Sequence, residues 1–416
     1  MIKKHKTSIT CDMCGTDDIY EYTTITNAIS RKINICKKCA YKEGIIEQTE
    51  EDILSNMPLL TPEQIFEKLN ERIIGQFGAK KAISVEIFKH LLRLKSKSRL
   101  QLMGKTIKKN NILLTGLSGT GKTMLAQVIA EVLNIPMTIV TATQLTESGY
   151  SGQDVESILS SLVEKSDNNI QLAQKGIIFI DEIDKLAKRD LGDLSKDVNA
   201  SGVQKSLLTI LEGTVCNIPT GGSRLHPDKS SGKIDTTDIL FMAGGAFSGI
   251  ERIVGKRLKQ SEKGSTASNT IGFGANHSKG KDYSLEELRS SITVEDLKEY
   301  GMIEEFLGRF SIISNLQPLK LSDMVEILKL PGGMLDEYKA YFELLGKQLN
   351  VQNSALENIA KVSMQNGVGA RGIKLILKTI LEDAMFTAPS DDITMKYTIT
   401  KKNVEKYYKS YLEQIA

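Results

Sequence analysis

Asn111-Ile112-Leu113-Leu114-Thr115-Gly116-Leu117-Ser118-Gly119-Thr120-Gly121-Lys122-Thr123 is the stretch on which the fold turns. Asn111 to Thr115 has the short apolar centre of a buried strand, Gly116 to Thr123 spells G-x-x-x-x-G-K-T, and a helical pattern from Met124 to Leu133 follows at once. Strand, glycine-rich loop and helix in this order are what a P-loop requires. The glycines let successive backbone N–H groups face phosphate oxygens, and the helix N-terminus adds partial positive charge. Lys122 is expected to reach the β and γ phosphates of ATP and Thr123 to ligate Mg2+. The expected nucleotide-binding set is therefore Gly116, Leu117, Ser118, Gly119, Thr120, Gly121, Lys122, Thr123 and Met124.

Downstream, Gly176-Ile177-Ile178-Phe179-Ile180 is a second fully apolar strand, and it ends in Asp181-Glu182. A carboxylate pair at the carboxyl end of a parallel strand lies beside the P-loop, where Asp181 can hold the magnesium shell and Glu182 can polarise the attacking water. That pairing favours hydrolysis over passive binding. Apolar strands at Met137–Val140 and Ile239–Ala243 alternate with helical segments, which predicts an α/β fold with a parallel sheet between helices. Asp184 and Lys185 read as a solvated pair at the start of the next element.

The 416 residues suffice for two or three domains. With 40% hydrophobic and 25% charged residues the composition is that of a soluble globular protein. A net charge of +3 gives no strong field for clamping nucleic acid. The charged start Met1-Ile2-Lys3-Lys4-His5-Lys6 leads into no apolar stretch, and no run of about 18 apolar residues occurs. A cytoplasmic protein without membrane contact is expected. Four of the five cysteines, Cys11, Cys14, Cys36 and Cys39, form two C-x-x-C pairs, which suits a closed tetrahedral Zn2+ site, with Gly15 available for a tight turn. All four ligand positions being Cys, the zinc would be a folding element, used for dimerisation or for docking partners. Cys216 stands alone and reads as a small buried apolar residue.

The acidic stretch from Lys42 to Asn56 reads as a flexible tether, and Thr61-Pro62-Glu63-Gln64 announces a helix carrying Ile65, Phe66 and Leu69 on its apolar side. The expected division is 1–50 zinc-binding, 51–60 linker, 61–318 large α/β domain and 319–416 small helical domain, with a hinge near Pro318. Helical spacing marks Leu321–Leu330, Leu335–Leu345 and Ile373–Met385, and a short strand is expected near Tyr397–Ile399. The basic stretch Arg93, Lys95, Lys97, Arg99, Lys105, Lys108 and Lys109 lacks interleaved aromatics, so a solvated surface is preferred to a DNA-binding stripe. Between Arg257 and Ser284 the composition turns polar, with one apolar triplet, Ile271-Gly272-Phe273. Such an anchor on a polar loop would suit a pocket on a partner, or would fold back on its own domain.

Taken in order, the four-cysteine module, the P-loop, the string Ile178-Phe179-Ile180-Asp181-Glu182-Ile183-Asp184-Lys185 and the segments below resemble the ClpX family of AAA+ unfoldases along essentially the whole chain. The resemblance implies an AAA+ P-loop NTPase with a helical small domain, working as a homo-hexamer. It also implies unfolded or tagged protein substrates, a ClpP-type peptidase partner and adaptor proteins binding through the zinc module. Ile74, Gly75 and Gln76 match the box that packs on adenine, although a helix end with a Gly cap reads equally well from the residues alone. Arg309, in Glu305-Phe306-Leu307-Gly308-Arg309-Phe310, corresponds to the arginine finger acting on a neighbour's nucleotide, and Arg371, in Gly369-Ala370-Arg371-Gly372, to the sensor-2 arginine. The polar sensor-1 position is not evident in Met242-Ala243-Gly244-Gly245. Gly149-Tyr150-Ser151-Gly152 resembles the pore loop that grips substrate, with Ser151 where a β-branched apolar residue is usual. Arg224 and His226 fall in a segment resembling the basic loop at the pore entrance, with Leu225 replacing a basic residue. Ile271, Gly272 and Phe273 correspond to the tripeptide that docks the peptidase ring. The competing functions are a stand-alone remodeller of protein complexes and, from another class, a nucleotide-gated zinc scaffold without motor activity.

Overall fold

The structure, a computed structural model, describes residues 10–16, 22–26, 32–36, 39–40, 49–145, 155–187, 194–218, 232–266, 282–366, 369–391 and 393–415. Near the N-terminus, strands β1 (Tyr22–Thr26) and β2 (Lys32–Cys36) form an antiparallel pair. The central sheet contains β3 (Asn111–Thr115), β4 (Met137–Thr141) and β5 (Ile177–Asp181). A short antiparallel ribbon of β6 (Val215–Ile218) and β7 (Gly232–Asp235) precedes its last members, β8 (Leu240–Gly245) and β9 (Phe310–Asn315). The five strands are parallel in the order β4-β5-β8-β3-β9.

The continuous apolar runs are explained by burial on both faces. Leu113, Ile178, Ile180, Phe241 and Ala243 point into one core, and their neighbours Ile112, Ile177, Phe179, Leu240 and Met242 into the other. Period-two alternation thus feeds two helical layers, as a parallel sheet demands. Because β8 lies between β5 and β3, the carboxyl end of β8 separates the Asp181-Glu182 pair from the P-loop, and Gly116 N–H donates to Gly245 C=O at 3.1 Å. A Cβ on Gly244 would lie 2.7 Å from the Phe179 ring, and one on Gly245 would strike the Phe247 ring. Packing here excludes side chains, which is why the end of this strand carries no Asn or Thr.

Two readings of the connecting segments are corrected. Residues expected within the flexible linker over 51–60 fold as the helix Glu50–Asn56, capped reciprocally by Thr49 and Asp52, with Ile53 and Met57 buried against the large core. Glu50 pairs with Lys175 at 2.6 Å and Lys95 donates to Leu54 C=O at 2.6 Å, so the segment is docked. The basic stretch is partly an internal brace. Arg93 and Lys97 bind the buried Asp238 at 2.9 and 3.0 Å, and Lys109 donates to Thr236 C=O while lying over the Phe241 ring. Arg99, Lys105 and Lys108 are exposed as expected. Cys216 is half-buried at the edge of the core, and burial raises its pKa.

The C-terminal domain is helical. Leu321–Lys329, Met334–Leu344, Asn353–Gln365, Ala370–Thr387 and Lys401–Ile415 enclose a core that includes Met324, Phe342, Ile359 and Ile376. β10 (Gln348–Val351) pairs in parallel with β11 (Lys396–Ile399), the strand expected near Tyr397. Among the described residues no helix is long and apolar enough to cross a membrane.

Candidate functional site

A cavity of about 780 Å³ opens between the sheet and the C-terminal domain. Gly119, Thr120, Gly121, Lys122, Thr123 and Met124 form one wall, Ile73 and Ile74 a second, and Leu319, Ile327, Leu330, Met334, Arg371 and Lys374 the third. An apolar slot with a glycine-rich cationic floor suits a flat base joined to phosphates.

Lys122 opens the helix Lys122–Leu133 directly behind the left-handed Gly121. Its side chain is buried and Nζ donates to Gly116 C=O at 2.6 Å and Leu117 C=O at 3.0 Å. Burial lowers its pKa to about 8, with the Asp181 carboxylate opposing the shift. Thr123 Oγ1 donates to Asp181 Oδ2 at 2.9 Å, which brings together the hydroxyl and carboxylate predicted to share magnesium. Both are hard oxygen donors of the kind Mg2+ takes. Asp181 Oδ1 accepts the Glu182 N–H at 2.8 Å. Glu182 itself is exposed at the tip of β5 with φ +56°, a left-handed conformation that costs a non-glycine residue on the order of 1–3 kcal/mol.

Asp184 is not half of a solvated pair. It is buried, its Oδ1 accepts the Ala246 N–H at 3.0 Å, and only Lys185 faces solvent, 3.9 Å from Oδ2. Gly75 and Gln76 both adopt left-handed conformations between the helices Pro62–Arg72 and Phe77–Lys95, but the first helix is capped by the extended Ile73 and not by Gly75, while Ile74 lines the cavity. The Gln76 side chain bridges the P-loop and the hinge, with Nε2 donating to Thr120 C=O at 3.5 Å. Its Oε1 accepts Gln317 N–H and its Nε2 donates to Gln317 C=O, both at 2.8 Å, which staples this corner to the residue before Pro318.

Arg371 faces the P-loop across the cavity because Gly369 brings the two domains into contact. Gly369 has φ +56°, and a Cβ there would lie 3.0 Å from Ser118 C=O. Arg309 lies elsewhere. It precedes β9, at the end of the sheet opposite the P-loop, roughly 16 Å away by strand rise. There it is half-exposed and pairs with Glu212. It does not reach the phosphate loop of its own chain. Tyr150, Ser151, Arg224, His226, Ile271, Gly272 and Phe273 lie outside the described residues.

Two side chains that the sequence did not single out, the half-buried Asn315 and the buried Arg289, also meet this region. Asn315 Oδ1 accepts Thr115 Oγ1–H at 2.8 Å at the root of the P-loop, and Arg289 donates to Ala246 C=O at 2.7 Å. Neither sits in a recognisable motif.

At the N-terminus the sulfur atoms of Cys11, Cys14, Cys36 and Cys39 lie within 4.8 Å of one another, and Cys14 Sγ is 3.7 Å from Cys36 Sγ. Tetrahedral zinc at about 2.3 Å from each sulfur requires S···S near 3.8 Å, so the donor set fits that ion. The Cys36 N–H donates to Cys11 Sγ at 3.3 Å and lowers the Cys11 pKa to about 6. Hydrogen bonds that the Cys39 thiol donates to neighbouring sulfurs, first to Cys14, hold its pKa up at about 12.

P-loop, strand-end carboxylates and a helical domain closing over one cleft together define an AAA+ ATPase. Residues 107–313 match the AAA domain (Cdc48 subfamily), and residues 319–400 match the C-terminal, D2-small domain of ClpB protein. Two relatives, each an "ATP-dependent Clp protease ATP-binding subunit ClpX", come from Borrelia duttonii (strain Ly) and Borrelia recurrentis (strain A1). Each is 38% identical to this chain over 402 residues, covering 95% of this chain and 90% of the relative. The chain belongs to the ClpX family of Clp ATPases.

Proposed function

We propose that this protein is an ATP-dependent unfoldase and translocase that works as a homo-hexamer in the cytoplasm and delivers protein substrates to a ClpP-type peptidase. The observation that carries the reading is the shared cleft: the P-loop and Arg371, from different domains, line one cavity. Nucleotide occupancy and interdomain angle then become one variable, and Gln76 joins the hinge to that corner.

Bound ATP with magnesium supplies the scissile phosphoanhydride and its charge-neutralising ion. Lys122 donates to phosphate oxygens in place of the carbonyls of Gly116 and Leu117. Thr123 and Asp181 present oxygen ligands. Glu182 accepts a proton from the attacking water. Arg309, remote from its own P-loop, reaches the site of the next subunit, and Arg371 reports phosphate state to the C-terminal domain. Tyr150 and Ser151, with Arg224 and His226 at the entrance, contact substrate, and Ile271, Gly272 and Phe273 dock the peptidase. The peptidase partnership is supported by the resemblance at that triplet and by the 38% identity to a relative named as the ATP-binding subunit of a Clp protease.

The test supplies ATP and a tagged, stably folded fluorescent protein, with and without a ClpP-type peptidase. ATP-dependent loss of fluorescence without the peptidase, and peptide release only with it, is expected. Fluorescence loss with no peptide release under any condition would leave a stand-alone remodeller, and no fluorescence loss would refute the motor. The zinc module makes a separate prediction: the purified chain holds one zinc ion by elemental analysis, and Cys14→Ser with Cys39→Ser reduces this to less than one tenth. A wild-type chain purified under reducing conditions without zinc would contradict it.

A further inference from the structure

The turn after β8 is held by charged side chains on both sides. Asp184 and Arg289 are each about 1% exposed. Asp184 Oδ1 accepts the Ala246 N–H at 3.0 Å, and Arg289 Nη1 donates to the C=O of the same residue at 2.7 Å. Arg289 Nη2 also donates to Phe247 C=O at 3.4 Å, and its Nε to Glu251 Oε1 at 2.7 Å. The preceding carbonyl, that of Gly245, accepts the Gly116 N–H of the P-loop. Phe247 is buried at φ +45°, a conformation that persists only when its surroundings impose it.

Three consecutive residues, Gly245 to Phe247, are thus tied to the phosphate loop, to the segment after β5 and to the helix Leu285–Ser290. Gly116 ties the turn to the phosphate loop. Asp184, two residues beyond Glu182, ties it to the segment that carries the strand-end carboxylates. Arg289, on the helix Leu285–Ser290, holds it from the far side and is itself fixed by Glu251. The strand end has no room for a polar side chain at Gly244 or Gly245, so its orientation depends on backbone groups alone. Hydrogen bonds from ionised, buried groups are the strong ones, and a buried ion left without its partner is costly. Asp184 Oδ1 and Arg289 hold this short turn from two sides, while Asp184 Oδ2 is buried without a hydrogen-bond partner among the described residues.

We propose that Arg289 and Asp184 are positioning residues for ATP hydrolysis, holding the two peptide groups that flank Ala246 so that Glu182 and the P-loop keep one fixed separation. Neither touches nucleotide. The effect is on kcat, because misplacing a general base by about 1 Å costs on the order of 10²-fold while leaving phosphate contacts in place. The inference rests on Glu182 being the water-activating carboxylate.

The test uses the full chain and reads three quantities: ATP turnover as a function of ATP concentration, binding of a fluorescent non-hydrolysable ATP analogue, and thermal unfolding. Arg289→Leu combined with Glu251→Leu removes both members of the pair, so no buried charge is stranded. The double variant is expected to lose at least tenfold in kcat, with analogue Kd within threefold of wild type and a distinct unfolding transition. A folded double variant with kcat within twofold of wild type overturns the proposal. Should that variant not fold, Asp184 decides. Asp184→Asn keeps an acceptor for the Ala246 N–H and is expected to retain at least a third of kcat, whereas Asp184→Leu loses at least tenfold at unchanged Kd. Equal kcat for the two overturns the proposal. Glu182→Gln is measured alongside: wild-type turnover in that variant would remove the premise about Glu182, and is distinguishable from failure of the clamp.

Discussion

Glu182→Gln is expected to lower ATP turnover by at least about 10²-fold while nucleotide affinity stays within about threefold of wild type. The side chain is exposed at the carboxyl end of β5, next to the Thr123–Asp181 pair, and makes no buried contact that an amide would break. Glutamine has the same shape and keeps a carbonyl oxygen, so water can still bind. It cannot take the proton. Lys122, Thr123 and Asp181 are untouched, so phosphate and magnesium binding survive. Turnover and analogue binding measured on one preparation check this, and a parallel loss of both would mean that Glu182 holds the site together rather than acting on water.

Arg309→Ala is expected to reduce turnover by about 10³-fold or more, with nucleotide affinity and thermal stability nearly unchanged. Arg309 and its partner Glu212 are 44% and 46% exposed, and an ion pair that open to water contributes at most about 1 kcal/mol. A loss of three orders of magnitude in rate corresponds to about 4 kcal/mol in the barrier. The two magnitudes separate the roles: a structural arginine here would cost little of either, whereas a finger acting on a neighbouring site costs rate alone. Steady-state kinetics and a thermal melt on the same variant distinguish them.

How much of this was legible in the sequence follows from where the interactions are local. The P-loop, the run Ile177–Asp181 and the two C-x-x-C pairs each place their chemistry within a few residues, and the structure brings Thr123 to Asp181 and the four sulfurs together. Thr61 and Gln64 cap their helix reciprocally as the capping box predicts. Long-range partners were not legible. Asp184 looked solvated because its neighbour Lys185 has the complementary charge, yet its partner is the backbone of Ala246, 62 residues on. Arg289 sits in the polar run Glu286-Glu287-Leu288-Arg289-Ser290, where nothing marks it as buried. The last part of the acidic stretch, Glu50–Asn56, is a docked helix because Ile53 and Met57, modest in a charged context, find the large core, and Glu50 finds Lys175. β10 escaped notice because Leu349 and Val351 are its only apolar residues, too few to show an alternation before β11 is known to pair with it. Gln76 falls in the adenine box by sequence, yet its side chain bonds Gln317, 241 residues away, and the P-loop carbonyl of Thr120.

The central claim is that ATP is split at a boundary between subunits, with Glu182 from one chain and Arg309 from the next. It is tested most directly by mixing two inactive proteins. Glu182→Gln chains keep Arg309, and Arg309→Ala chains keep Glu182, so mixed rings contain boundaries at which both groups are intact. Turnover in the mixture well above the sum of the two separate preparations, rising with their co-assembly, is the expected result. A mixture no more active than its components, although mixed rings have formed, would contradict the claim.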